Sequence, residues 1–394
     1  ETKGADGTVK KAGWDGSCDT WSDFYDPTLE DDPLRGVTNG TGPFTLDRWR
    51  RDEEIVLGRN DAYWGAKPAL KQVVFKFNSE FSARLLMLQT GDADQVAVLD
   101  ANRDQVAPLV QQGIVTEYKD LPEVSAAWWA LNQKVATDGN DYIDSGKLDG
   151  EGVPPDFFSD IDVRRGFAYA YDQGTFIKDI LQGDANPLVS VIPSFVGGHD
   201  ASQVGYPFDT AKATEAFKKA YGGKLWDTGF KLEVPLVPGN TNGRLHREMY
   251  AKALAGINPK FKLVIREVQA SQFQADEEAD RLPIRPIAWV EDFHDPHNWA
   301  FSLLDSQGTY ARLLDFPTDV SSRLDGLIEA ARGEIDPAKR NAAYAEIQTL
   351  AHDQVLLVPI DEDVGRVYLR SWVKGYVHNP AASGISYIDL SKSN

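Results

Sequence analysis

The chain has one cysteine, Cys18, in 394 residues, so no intrachain disulfide can form and cysteine usage does not identify the compartment. The residues beside Cys18 offer no cation or imidazole that would activate its thiol. No stretch approaches the roughly 18 consecutive apolar residues that span a bilayer, and the start at Glu1 lacks the apolar region of a signal peptide. A first residue other than Met predicts a mature or truncated product.

Basic residues are also few relative to acidic ones. The chain has 41 Lys and Arg against 60 Asp and Glu, which gives a net charge of −19. That charge repels phosphate backbones and anionic membrane surfaces, so we expect no nucleic-acid partner. Hydrophobic residues make up 42% of the chain, which is enough apolar content for a core in each of two lobes.

Catalytic motifs are missing as well. The sequence contains no nucleophile elbow, no glycine-rich phosphate loop and no metal-binding helix motif. Acidic residues are numerous but scattered, so a hydrolase that uses two carboxylates stays an alternative without named residues. We therefore expect no enzymatic activity and no cofactor.

What the sequence does contain is alternating strand and helix patterns. A loop-rich segment at residues 1–42 comes first. Strand patterns at residues 54–58 and 73–77, followed by a helix pattern at residues 81–88, indicate an α/β lobe. We place this first lobe at residues 1–125.

A second lobe is predicted at residues 126–362, with a return to the first lobe at residues 363–394. A helix opens near Asp162. Strand, helix and strand patterns follow one another and predict a βαβ unit with parallel strands. That unit covers residues 232–237, 244–254 and 261–268, and later helices at residues 324–331 and 344–351 precede strands at residues 355–360 and 366–369.

The segment from Ile287 to Trp299 crowds aromatic, acidic and proline residues behind a strand pattern. Ligands favour the carboxyl ends of strands in open α/β sheets. Trp289 would form an apolar wall there, and Asp292 would hold a cation, most simply an amine. The alternative for Asp292 is a turn-capping role, in which its carboxylate accepts hydrogen bonds from nearby backbone N–H groups.

Four further residues are ligand-binding candidates. Trp128 and Trp129 point in opposite directions if they lie on a strand, so we expect one in the core and the other in the ligand cleft, without deciding which. Asn132 follows them in the same run. Arg285 could meet a ligand carboxylate through its planar guanidinium, and an ordinary surface arginine is the alternative.

Two histidines, His294 and His297, flank Asp295 and Pro296. Imidazole and carboxylate ligands suit zinc or nickel. Pro296 and the loop context break the i,i+4 spacing that places two histidines on one face of a helix. We therefore predict no protein-bound metal.

Several runs spread over most of the chain follow one another in an order typical of a single family. They are Asn39-Gly40-Thr41-Gly42-Pro43-Phe44 with Trp49, Arg59-Asn60-Asp61-Ala62-Tyr63-Trp64, Gly91-Asp92-Ala93-Asp94, Asp162-Val163-Arg164-Arg165-Gly166-Phe167-Ala168-Tyr169-Ala170-Tyr171-Asp172, Tyr206-Pro207-Phe208-Asp209, Trp289 to Pro296, Arg340 with Tyr344 and Ile347, and Val373-Lys374-Gly375-Tyr376. Together they resemble the large, family 5 solute-binding proteins of peptide-type ABC importers.

The resemblance implies a type II periplasmic-binding-protein-like fold of the large peptide-binding cluster. Such a fold has two α/β lobes, with mixed sheets flanked by helices, that close on a ligand. In peptide-binding members, an aspartate three residues after a Trp holds the α-ammonium of the ligand, which carries over to Asp292 after Trp289. Members carry a long stretch before the Asn-Gly-Thr-Gly-Pro run, so we expect the first lobe to be incomplete here.

The expected function is an extracytoplasmic receptor that captures di- to oligopeptides and delivers them to an ABC permease in the membrane. We expect a monomer in the periplasm or at the outer face of the membrane, with lipid anchoring of the full-length protein left open. The alternatives within the family are an oligosaccharide, on which some of the ten tryptophans would stack, and a nickel chelate, for which His294 or His297 would be essential.

Overall fold

The computed structural model describes residues 2–4, 9–10, 37–38, 40–381 and 384–393. Most of the predicted loop-rich segment, with Cys18 and Asn39, lies outside these residues. The chain divides into a first unit, Glu1–Lys119 with Arg366–Asn394, and a second unit, Asp120–Gly365. The boundaries that we predict from the sequence fall after residues 125 and 362.

Among its described residues, the first unit combines short antiparallel strands with two α-helices. Its elements are β1 (Thr2–Gly4), β2 (Val9–Lys10), β3 (Val37–Thr38), β4 (Phe44–Arg50), β5 (Glu54–Arg59), β6 (Gln72–Lys76), α1 (Phe81–Thr90), α2 (Arg103–Gln111), the start of β7 (Val115–Leu131), the end of β12 (Leu357–Arg370), β13 (Val373–Lys374) and β14 (Ser391–Lys392). The predicted strands and helix of this unit are therefore present.

The helix α1 extends two residues beyond the predicted range of 81–88 and ends at Thr90. Gly91 follows its last residue with a φ of 89°, and the backbone N–H of Gly91 donates to the carbonyl of Met87. A residue with a side chain is strained in that left-handed conformation, so glycine is the favoured helix end. The strands β4, β5 and β6 form an antiparallel sheet in that order.

The second unit contains most of the helices. Its elements are the rest of β7, α3 (Ile161–Ala170), α4 (Gln173–Thr175) with a π-helical turn at Phe176–Ile180, β8 (Ala185–Asn186), α5 (Thr210–Lys219), α6 (Lys224–Thr228), β9 (Phe230–Leu236), α7 (Thr241–Ile257), β10 (Phe261–Glu267), α8 (Ala270–Glu278), β11 (Ile284–Val290), α9 (Pro296–Leu304), α10 (Thr318–Gly333), α11 (Pro337–Asp353) and the start of β12. Among the described residues, none of the helices has both the length and the apolar character that crossing a membrane requires.

The predicted βαβ unit is confirmed. The strands β9 and β10 pair in parallel, from Phe230 opposite Phe261 to Leu236 opposite Glu267, and α7 connects them. Another sheet of the second unit, separate from the βαβ motif, has the strand order β11-β7-β12-β8, and β11 runs antiparallel to β7. Mixed sheets flanked by helices are thus observed, as the sequence predicts.

Hydrophobic clusters cover both faces of that second sheet. Alternate residues of β7 enter different clusters, because successive side chains of a strand point to opposite faces. Trp129 and Leu131 pack with Phe167 of α3 and Tyr250 of α7. On the other face, Trp128 joins a cluster formed with side chains of α9, α10 and α11 that includes Trp299, Leu303, Leu324, Ile328, Tyr344 and Ile347.

The two strands predicted near residues 355–360 and 366–369 are one strand, β12. The acidic run Asp361-Glu362-Asp363 lies inside it. Glu362 is buried, and its carboxylate accepts hydrogen bonds from the backbone N–H (2.6 Å) and the hydroxyl (2.7 Å) of Ser194. This distant partner lets a charged residue continue the strand.

Candidate functional site

The predicted ligand-binding segment connects the end of β11 to the start of α9. In β11, Trp289 pairs with Ala126 and Val290 with Ser125 of β7. Five residues, 291–295, then lead into the helix. Asp295 caps α9 by accepting a hydrogen bond from the backbone N–H of His297 at 2.8 Å. Pro296 occupies the first turn, where a backbone N–H would have no partner within the helix, so the missing N–H of proline costs no hydrogen bond.

Asn298, in the first turn of α9, connects Trp289 with Asp292. Its Oδ1 accepts hydrogen bonds from the indole Nε1 of Trp289 (2.9 Å) and from the backbone N–H of Asp292 (3.1 Å). Its Nδ2 donates to Oδ2 of Asp292 at 3.1 Å. The structure therefore places the predicted apolar wall and the predicted carboxylate on either side of one buried amide.

The carboxylate of Asp292 is exposed, and its Oδ1 accepts no hydrogen bond from any described residue. Two apolar residues of the same stretch of chain are also exposed, Val290 by 59% and Phe293 by 53%. The site thus combines an unpaired anionic oxygen with apolar surface. That combination suits a ligand with an amine next to an apolar group.

The ring of Trp289 is partly buried and meets Tyr310 edge to face, with 6.1 Å between the ring centroids. The hydroxyl of Tyr310 donates to the carbonyl of Ala288 at 2.8 Å. Both ends of the indole are thereby held, its Nε1 by Asn298 and its ring by Tyr310. A rigid aromatic surface loses little conformational freedom when a ligand binds.

Glu291 is a second carboxylate in the segment, but its side chain is only 4% exposed. One oxygen accepts a hydrogen bond from the indole of Trp299 at 3.2 Å, and the other lies 2.8 Å from Nδ1 of His294. Its backbone N–H donates to the carbonyl of Val124 in β7. With both oxygens engaged, Glu291 supports the loop, and Asp292 is the carboxylate open to a ligand.

The start of α9 is tied to α11 by an ion pair. Arg340 donates to both oxygens of Asp295, at 2.7 and 3.1 Å, and its guanidinium lies over the ring of Tyr344. Burial opposes ionisation of Asp295, but the hydrogen bonds from Arg340 and from the backbone of His297 hold the pKa of that carboxyl below its usual value. The role of the Arg340 and Tyr344 run is thus to fix the helix that carries Asn298.

The loop predicted around His297 is wrong, because His297 lies in the first turn of α9. Burial, followed by the positive charge of Arg332, lowers the pKa of His297. His294 is largely exposed and lies before the helix. Within the described part of the chain, neither histidine belongs to a group of three or more His, Cys, Asp or Glu that could hold a metal ion.

The predicted exposure of either Trp128 or Trp129 is wrong, since the structure leaves 0% of each residue accessible. Helices cover both faces of the sheet at this point, so alternation along the strand directs the two indoles into two different cores. The Nε1 of Trp128 donates to the carbonyl of Ser190 at 3.1 Å.

Arg285 and Asn132 lie at the other end of the β11–β7 ladder. Arg285 is 1% exposed, so the alternative of a surface arginine is wrong, and its Nε donates to Glu277 at 2.8 Å. Asn132 is buried, and its Nδ2 donates to Asp280 at 2.6 Å. Six residues of strand, roughly 20 Å, separate Arg285 from the start of the connecting segment at residue 291.

The structure therefore brings Trp289 and Asp292 together, buries Trp128 and Trp129 in two cores, and places Arg285 and Asn132 at the other end of the ladder. Asn298 and Glu291 were not identified from the sequence. The signal that could have found Asn298 is local, because it comes three residues after the helix-capping Asp295. Its hydrogen bonds to Trp289 and Asp292 depend on the return of the chain and have no sequence signature.

Comparison with known proteins places this segment in context. Residues 21–311 match the family model described as "Bacterial extracellular solute-binding proteins, family 5 Middle". Heme-binding protein A of Haemophilus influenzae is 25% identical over 357 residues, which cover 90% of this chain and 59% of that protein. The dipeptide-binding protein of Escherichia coli is 25% identical over 345 residues, with 86% and 59% covered. The chain thus spans about three fifths of the length of these curated relatives.

A solved structure shares the fold. The ABC transporter-associated periplasmic binding protein DppA from Helicobacter pylori, in complex with the peptide STSA, gives a TM-score of 0.72 at 23% identity. The match covers 96% of this chain and 68% of that one. The predicted type II periplasmic-binding-protein-like fold is confirmed by this likeness.

Proposed function

Because the chain belongs to family 5 of the bacterial extracellular solute-binding proteins, we propose that it binds peptides as the substrate-binding component of an ABC importer. In this proposal, Asp292 accepts a hydrogen bond from the α-ammonium of the peptide through Oδ1, and Trp289 provides an apolar surface beside it. A charge-assisted bond of this kind is among the stronger polar contacts that a site can offer.

The observation that carries the proposal is the state of the Asp292 carboxylate. One oxygen accepts a hydrogen bond from Asn298 and the other accepts none from a described residue, and Val290 and Phe293 of the same stretch of chain are exposed. The neighbouring carboxylate of Glu291, in contrast, has both oxygens engaged. The names of two relatives support the same ligand class, since one is a dipeptide-binding protein and another was solved with a peptide.

The cargo class can be tested by thermal unfolding in the presence of candidate ligands. We expect di- and tripeptides to raise the unfolding midpoint, since a ligand at about 100 times its dissociation constant stabilises a protein by about 2.7 kcal/mol. Oligosaccharides and nickel with histidine are the comparison ligands. Stabilisation by either of these and not by peptides would contradict the proposal.

The role of Asp292 can be tested by calorimetry with a tripeptide such as Ala-Leu-Ala. The Asp292→Asn variant keeps the size of the side chain and removes its charge. We expect it to weaken binding by about 2 kcal/mol, or about thirtyfold, as when a charge pair loses one partner. Asp319→Asn, at an exposed position in α10, is the matched control. Equal affinities of the two variants would remove Asp292 from the site.

The receptor is expected to release its peptide unchanged, as the binding-protein names of the relatives suggest. Mass spectrometry of Ala-Leu-Ala after long incubation with the protein checks this. Accumulation of cleaved peptide would favour the alternative of a hydrolase that uses two carboxylates.

A further inference from the structure

Asn298 has both polar atoms of its amide engaged, although only 5% of the residue is exposed. Its oxygen accepts hydrogen bonds from the indole of Trp289 and the backbone N–H of Asp292, and its nitrogen donates one to the carboxylate of Asp292. A buried amide is costly unless it is hydrogen bonded, so this arrangement favours a single position of the side chain.

The orientation of the amide follows from its partners. The indole nitrogen of Trp289 and the backbone nitrogen of Asp292 are donors only, so the amide atom between them must be the oxygen. The amide nitrogen then faces Oδ2 of Asp292, which can only accept while the carboxyl is ionised. An amide rotated by 180° would bring donors against donors.

Asn298 itself is held by the start of α9. Its backbone N–H donates to the carbonyl of Asp295 at 3.0 Å, and the carboxylate of Asp295 is bound by Arg340 of α11. The backbone of Asn298 is therefore fixed by two helices, and its side-chain amide reaches from there to Asp292 in the loop at residues 291–294.

We propose that Asn298 is the positioning residue that gives the site its selectivity for ligands with a free amine. By holding Oδ2, it fixes the plane of the Asp292 carboxylate and leaves Oδ1 as the oxygen that meets the ammonium. This inference rests on the proposed function of Asp292. It adds that a charged carboxylate at position 292 without the hydrogen bond from Asn298 binds an amine poorly, because the side chain then loses conformational freedom when the ligand binds.

The test compares Ala-Leu-Ala with N-acetyl-Ala-Leu-Ala, whose amine is blocked. The ratio of their dissociation constants measures amine selectivity, which we expect to be about thirtyfold for the wild-type chain. In Asn298→Asp, an oxygen replaces the nitrogen that faces Oδ2 of Asp292, so the two carboxylates repel each other. The ratio should fall to about threefold or less, while the affinity for the acetylated peptide changes by less than about twofold.

Asn258→Asp is the matched control, since Asn258 is equally buried in the second unit but bonds to Trp226 and Lys260. A merely structural role of Asn298 would weaken both peptides by the same factor and leave the ratio unchanged. That outcome would overturn the proposal.

A double variant keeps the test informative if Asn298→Asp is poorly folded. In Asp292→Asn with Asn298→Asp, the amide introduced at position 292 can donate to the carboxylate introduced at position 298, so the hydrogen bonds of the loop are restored. We expect the unfolding midpoint to recover without amine selectivity, because the charge now lies at the buried position. Wild-type selectivity in this variant would contradict positioning by Asn298.

The two proposals fail in different ways. If the wild-type chain binds both peptides equally, the role of Asp292 is wrong and the positioning role falls with it. If Asp292→Asn loses selectivity and Asn298→Asp retains it, only the positioning role is wrong.

Discussion

The hydroxyl oxygen of Tyr171 lies 2.8 Å from Nε2 of His246, and both residues are buried in the second unit. The imidazole stacks on Phe176, with 3.9 Å between ring centroids, and lies 4.8 Å from the ring of Trp129. Burial, followed by the charge of Arg247, lowers the pKa of His246 to about 3. The imidazole is therefore neutral at neutral pH, and the pair shares one hydrogen bond.

The neutral state of His246 predicts a loss of stability in acid. The unfolded chain protonates this histidine below its ordinary pKa of 6.5, whereas the folded chain does so only near 3. Between these values the unfolded state binds one more proton, so the free energy of unfolding falls by about 1.4 kcal/mol per pH unit as the pH decreases. Urea unfolding at a series of pH values measures this slope, and His246→Gln should reduce it. An unchanged slope in the variant would show that His246 does not titrate on unfolding.

Asp361 predicts the opposite dependence at higher pH. Burial, followed by the charges of Asp363 and Glu362, raises its pKa to about 8 from 3.8. Between these values the folded chain keeps a proton that the unfolded chain releases. Each pH unit of increase from about 4 to about 8 therefore removes about 1.4 kcal/mol from the free energy of unfolding.

Asp361→Asn should abolish this contribution and leave the chain more stable than wild type above pH 7, provided that the amide finds hydrogen bonds in the same space. Asp363→Asn, at an exposed position in the same strand, removes only a neighbouring charge. It should lower the pKa of Asp361 in the folded chain slightly and so shorten the pH range over which stability is lost. The free energy of unfolding of wild type and the two variants, measured from pH 4 to pH 8, tests whether Asp361 keeps its proton in the folded chain. Parallel curves would show that Asp361 is ionised in the folded chain.

The burial of Trp128 predicts a large cost for truncation. Its ring meets that of Trp299 at 5.9 Å between centroids, and its Nε1 donates to Ser190. Trp128→Ala should destabilise the second unit by about 3–5 kcal/mol, the range for removal of a buried aromatic ring. Trp64→Ala is the control, because Trp64 is 80% exposed, and surface substitutions stay within about 0.5 kcal/mol. Comparable costs for the two variants would place Trp128 at the surface.

Much of this fold was predictable because its signals are local. The parallel β9–α7–β10 unit follows from periodicity over about forty residues. The start of α9 also has a local signal, the capping Asp295 before Pro296, but from the sequence we predict a loop there. The site residues Trp289 and Asp292 were found in the same way, from a strand pattern that ends in an aromatic and a carboxylate. Whether they bind a ligand stays a prediction.

The parts that could not be predicted depend on distant partners. Nothing near Glu362 in the sequence indicates that Ser194 satisfies its carboxylate, so β12 looked like two strands. From the sequence we expect only one of the indoles of Trp128 and Trp129 to be buried, because alternation along a strand gives their directions but not what covers each face of the sheet. Asn298 was missed because the return of the chain at residues 291–295, which brings Trp289 and Asp292 beside it, has no sequence signature.

The order of the two units along the chain has a consequence for synthesis on the ribosome. The second unit, Asp120–Gly365, is one continuous stretch, whereas the first unit needs Arg366–Asn394 in addition to Glu1–Lys119. Within the first unit, the indole of Trp372 donates to Asp94, and Leu369 pairs with Gln95. Since chains emerge N-terminus first, the second unit can fold while the earlier-made part of the first unit still waits for these partners. The first unit to be started is thus the last to be completed.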